Sequence, residues 1–111
     1  MAGQFDMNKL MQQAQEMQAQ MAKAQEELAA ETVEASAGGG LVRVTATGAG
    51  DITAVKIDPK AIDPDDPELL EDMVLAAVTE ALRSSQALAQ SKLGGALGGL
   101  GGGLPGLGGL L

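Results

Sequence analysis

The chain has 111 residues, 15 acidic against 7 basic, for a formal charge of −8. That balance works against a nucleic-acid binder held by charge alone. With no His, Cys, Tyr or Trp, the commonest general base, the thiolate nucleophile and most metal ligands are excluded, and disulfides with them.

Phe5 is the single aromatic residue, so the core must be built from Leu, Val, Ile, Ala and Met. Residues 94–111 alternate glycine and leucine, which leaves residues 1–93 as the packing domain and 94–111 as a flexible Gly/Leu-rich tail. A core this small gains from self-association.

Asp6 is an N-cap for a first helix rich in Ala, Met, Gln and Glu, free of Gly and Pro until Gly38. Met7, Leu10, Ala14, Met17, Met21, Ala24 and Leu28 recur at alternating steps of three and four, a heptad-type seam with glutamines between. Such a seam demands a helical partner, from the same chain or a second copy; left in water it is an aggregation patch.

Residues 38–59, GGGLVRVTATGAGDITAVKIDP, read as sheet. Val42, Val44 and Ala46 share one side of an extended strand and Arg43, Thr45 and Thr47 the other. Gly48-Ala49-Gly50-Asp51 breaks the run. The next strand puts Val55 and Ile57 on one face, Ala54 and Lys56 on the opposite one, and closes at Asp58-Pro59. Thr32–Ala37 is a weaker strand, tied to this hairpin by the turn at Gly38-Gly39-Gly40. Such a meander cannot bury its apolar face alone, so the helices on either side are expected to cover it.

Carboxylates then cluster at Asp58, Asp63, Asp65, Asp66, Glu68, Glu71 and Asp72. Their spacing lacks the glycine of a calcium loop. Asp66-Pro67-Glu68 instead has the chemistry of a helix start: cap, first-turn proline, and acid at the positive end of the dipole.

From Pro67 a second helix is expected to about Lys92, with Leu70, Met73, Val74, Ala77, Val78, Ala81 and Leu82 as the face that covers the sheet. Beyond Arg83 the apolar pattern thins, which predicts a helical end projecting past the core and free for a partner. The tail is too glycine-dense for a membrane span. No basic segment precedes an apolar run at the N-terminus, so no signal peptide is expected and the location is read as cytoplasmic.

Ser84 and Ser85 have no histidine to activate them, and the glycine runs carry neither a Walker lysine nor GxGxxG after a strand. The chain is therefore read as not an enzyme, with no cofactor, metal or small-molecule substrate.

Three stretches now meet in one order: NKLMQQAQEMQAQMAKAQEEL, then GGGLVRVTATGAGDITAVKIDP, then DPELLEDMVLAAVTEAL. Together they closely resemble the YbaB/EbfC family of bacterial nucleoid-associated DNA-binding proteins, over roughly residues 5–92. The resemblance implies an α+β fold: an N-terminal long helix, a three-stranded antiparallel meander and a C-terminal long helix, followed by a disordered tail. It also implies a homodimer whose paired sheets form a central body and whose helices protrude like tweezer arms around double-stranded DNA. Little or modest sequence preference, a nucleoid location, and an influence on nucleoid organisation and gene expression are implied with it. The family's contacts are attributed to the N-terminal helix and the C-terminal helical arm, which here offer Lys9 and Lys23, and Arg83 and Lys92, as DNA-binding residues. Gln12, Gln13 and Gln20 add neutral donors for phosphates. The sequence departs from a strong binder in its sparse cations and in Glu16, Glu26 and Glu27 on the first helix. The alternative reading is a dimeric protein-interaction scaffold acting through the Met-rich helical arms or the Gly/Leu tail.

Overall fold

The computed structural model describes residues 6–101. Its elements run α1 (Met7–Ala30), β1 (Thr32–Ala37), β2 (Val42–Thr47), β3 (Ile52–Ile57), a 3-10 turn (Pro59–Ala61) and α2 (Pro67–Gly101). The expected order of helix, antiparallel meander and helix is the observed one, with sheet order β1-β2-β3.

Each boundary has a local cause. The Asp6 carboxylate accepts from the N–H groups of Asn8 (3.0 Å) and Lys9 (3.3 Å), which satisfies two of the donors that a helix start leaves open. Asp66 accepts from Leu69 N–H at 3.3 Å and opens α2 in the same way. Asp58 accepts from Lys60 N–H and Asp63 from Asp65 N–H, both at 2.9 Å. Four of the acidic side chains are thus spent on turns and helix starts. The β1–β2 turn takes Gly38, Gly39 and Gly40 through φ of 65°, 71° and 95°, a region that L side chains resist.

Strand register builds one apolar face. Val44 lies opposite Ala35 on one side and Val55 on the other; Val42 lies between Ala37 and Ile57. Val42, Val44 and Ala46 are fully buried against Ala77 and Ala81 of α2, with Ala35 and Ala61 completing the cluster. Alanine at the centre of the α2 face lets that helix approach the sheet closely, while Leu70, Met73, Val74 and Val78 fill its flanks.

Four features differ from the sequence expectation. Among the described residues only α2 covers the sheet, and it lies over β1 and β2. On the same face, Ile52, Val55 and Ile57 of β3 are 39%, 45% and 39% exposed. A single helix is too narrow to cover three strands, and α1 packs mainly on α2 rather than on the sheet.

The α1 seam is buried only at Ala24 and Leu28. Every residue from 6 to 20 is exposed, because α1 runs past the edge of the sheet.

The stretch after Arg83 is not free. Ser85 is buried, and Leu88, Ala89, Lys92 and Leu93 are half-buried where α2 meets the end of α1.

The helix expected to end near Lys92 continues to Gly101. Extending a helix already nucleated costs far less than starting one, so Leu93 and the residues beyond it follow despite their glycines. Residues 102–111, where the rest of the expected tail falls, and Phe5 lie outside the described residues.

Candidate functional site

Two long helices leave the sheet, and the sequence placed all four candidate cations on them. α1, 24 residues long, extends about 36 Å at 1.5 Å per residue. Lys9 and Lys23 are fourteen residues apart, about 21 Å along the axis and within about 40° of each other around it. Numbering the seam with Met7 as a, both fall at heptad position c, on the outer flank away from the apolar stripe. Glu16 sits at the same heptad position midway between them, so the flank reads cation, anion, cation. Among the described residues neither lysine makes an ion pair.

Arg83 lies on the side of α2 away from the sheet. Its Nη1 is 3.5 Å from Glu80 Oε2, with the two side chains 71% and 58% exposed. A surface pair this open is worth about 0.2–1 kcal/mol at most and yields readily to another anion.

Lys92 has different surroundings. Its Nζ donates to Glu31 Oε1 at 2.7 Å and to Glu27 Oε2 at 3.0 Å, and its side chain is only 22% exposed. The ammonium therefore clasps α2 to the last turn of α1. The sequence placed Lys92 on a projecting end because no local pattern links it to residues 61 and 65 positions earlier.

Electrostatics follow this geometry. The hydrogen bond from Lys92, then its charge, hold the Glu27 carboxyl below its ordinary 4.5, with a smaller pull from Lys23. Hydrogen bonds to Glu31 and then Glu27 hold the Lys92 ammonium above its ordinary 10.5. A depressed carboxyl stabilises the fold above its unfolded pKa and loses that contribution as pH falls through the folded value. A raised amine contributes below its unfolded pKa and loses that contribution as pH rises through the folded value. The clasp is therefore intact from about pH 4.5 to 10.5 and opens only outside that window. Melting temperatures of the natural chain and Glu27→Gln should differ by a constant amount near neutrality and converge below pH 4.5. A difference that persists unchanged into that acid range would exclude the ion pair as its source.

Two groups went unrecognised in the sequence. Ser85 has no nucleophilic role to fill; its hydroxyl, 1% exposed, donates to the Thr47 carbonyl at 2.6 Å and ties α2 to the end of β2. Arg43 and Lys56 stand directly opposite each other on the face of the sheet turned away from α2. Like charges in that position repel, and Arg43 is relieved by Glu34 at 3.7 Å. Only strand register reveals that pair. Among the described residues no helix is long and apolar enough to cross a membrane.

The model of the YbaB/EbfC DNA-binding family matches residues 3–100. A protein of Streptomyces avermitilis named nucleoid-associated protein is 58% identical over 92 residues, covering 83% of this chain and 81% of its own. Similarly named proteins of Saccharopolyspora erythraea (54% over 100 residues, 87% and 86% covered) and Moorella thermoacetica (52% over 91 residues, 82% and 88% covered) also match. The crystal structure of an uncharacterized protein from Helicobacter pylori superposes with a TM-score of 0.74 at 18% identity, over 84% of this chain and 98% of that one. At that identity it shows the fold alone.

Proposed function

We propose that this chain, which belongs to the YbaB/EbfC DNA-binding family, is a non-enzymatic nucleoid-associated protein that binds duplex DNA as a homodimer with little or modest sequence preference. The observation that carries the reading is the family match across residues 3–100, joined by relatives named nucleoid-associated protein. A cytoplasmic, nucleoid location goes with it, as does a role in nucleoid organisation and gene expression.

The geometry supplies the means. The open β3 face, with Ile52, Val55 and Ile57 unshielded beside a buried core, is the surface on which a second copy completes the body. Contacts with phosphate come from Lys9 and Lys23 on α1 and from Arg83 on α2, while Lys92 holds the two helices together. Phosphate contact needs no particular base, which fits weak sequence preference. The acidic body repels DNA, so binding depends on several cations acting together at the helical arms.

If these six cations of a dimer lie on phosphates, log affinity falls with log salt at a slope near −5.4, and binding is about micromolar or weaker at physiological salt. Gel shift of purified protein at low salt should retard duplex DNA, and no shift at tens of micromolar protein would end this reading. Lys23→Ala removes two contacts per dimer and should lower the magnitude of the slope by about 1.8. Lys92→Ala should leave the slope unchanged; a comparable drop there would move Lys92 onto the backbone of DNA and discard its role as a clasp.

A further inference from the structure

We infer that the exposed seam of α1 is a docking surface for the α1 of a second copy, laid antiparallel, distinct from the β3 face and independent of DNA. Met7, Leu10, Met11 and Met17 are 59%, 50%, 56% and 42% exposed on a segment in which every residue is exposed. The same seam is buried one and two turns further on, at Ala24 and Leu28. Among the described residues a packing stripe therefore continues without a partner over the N-terminal half of the helix.

The flanks say what the partner is. With Met7 at a, the e and g positions beside the stripe over residues 7–25 are Met11, Gln13, Gln18, Gln20 and Gln25, all uncharged. Charges at these positions would select a partner of opposite sign and reject a copy. Neutral flanks match the same neutral flanks of another α1.

Packing decides the orientation. Parallel pairing in register would set Ala14 against Ala14 and leave a gap in the seam. Antiparallel pairing centred at Gln12 sets Met7 against Met17 and Leu10 against Ala14, so that each layer joins a with d. The middle layers then combine one large and one small side chain. It also brings Met11 beside its own copy on one flank. Lys9 and Glu16, both at position c, lie on the outer flank and take no part in the contact. Lys23 stays on the outer side, clear of the seam. A two-heptad contact is small, so it works best between bodies that present more than one arm at high local concentration.

The chain contains no cysteine, which makes disulfide trapping in the full-length protein unambiguous. Met7→Cys and Met17→Cys chains are mixed in equal amounts, oxidised mildly, and analysed on non-reducing gels and by mass spectrometry, with Gln12→Cys as an outward-facing control. The expected product is the mixed 7–17 disulfide, about tenfold above both the like–like products and the control. Adding Leu10→Glu to both chains should abolish that excess with the melting temperature unchanged, since Leu10 is half exposed and lies outside the buried core. A statistical mixture, dominance of 7–7 and 17–17 products, or cysteines that stay monomeric because the chain covers its own stripe would overturn the inference. So would a 7–17 excess that survives Leu10→Glu.

Discussion

Gly48→Ala is expected to unfold the junction between α1 and the sheet, although it adds one methyl group. A Cβ at that position would lie 2.7 Å from Leu28 Cδ2, 2.9 Å from Leu28 O and 3.2 Å from Leu28 Cα. The side-chain carbon can turn away, but the two backbone atoms cannot move without shifting the helix. Gly48 N–H also donates to the Glu31 carbonyl at 3.0 Å, so the same shift strains the bond that pins the end of α1. Overpacking of this kind costs about 1–3 kcal/mol, equivalent to a fall in melting temperature of about 4–8 °C for each kcal/mol in a domain of this size. Gly95→Ala is the control: nothing lies within 4 Å of its Cβ, and on an exposed helix the change should stabilise by up to about 1 kcal/mol. Thermal unfolding followed by circular dichroism reads both. Equal melting temperatures for Gly48→Ala and the natural chain would show that the junction yields freely.

Val55→Lys should leave each chain folded and separate the two copies of the proposed homodimer. Val55 is 45% exposed and sits on an edge strand, where a lysine is a residue natural sheets use to prevent pairing. Its cross-strand neighbour Val44 is fully buried beneath α2 and keeps the core intact. If the proposed dimer closes over β3, the buried charge disfavours it strongly. Each molecule then loses half of its phosphate contacts, and linked sites commonly gain about 10²–10⁴ in avidity over single ones. DNA affinity should drop by that order, and sedimentation should report single chains. A variant that remains dimeric and binds DNA normally would show that the copies meet elsewhere. One that is monomeric but binds normally would detach DNA binding from dimerisation.

These two substitutions also mark where sequence reading succeeded and where it stopped. The strands, their faces and their turns were legible because period-two alternation and glycine breaks are local properties of the chain; Val42, Val44 and Ala46 face inward as their spacing requires. The caps at Asp6 and Asp66 were legible for the same reason. Gly48 could be read as a turn residue, but its closeness to the backbone of Leu28 could not. That contact joins segments twenty residues apart.

The candidate site was legible in its residue types rather than in their surroundings. Lys9, Lys23, Arg83 and Lys92 look alike in sequence, each a cation on a long helix. In the fold, Lys92 bridges Glu27 and Glu31, Arg83 rests loosely against Glu80, and Lys9 and Lys23 stay unpaired among the described residues. The thinning of apolar residues after Arg83 suggested a free end because small residues give little periodic signal. Ser85 and Ala89 pack there because they are small enough to let two elements approach.

By itself, the sequence determined the order of helix and strand, the inward face of β2, the helix starts and the family, since all of these reside in spacing along the chain. Tertiary structure alone decided which apolar surfaces found cover. One helix spans two strands and not three, and α1 outruns the body it packs on, so β3 and the first half of the seam stay open. Coverage depends on the relative widths and lengths of elements in space, and no local pattern of residues encodes those.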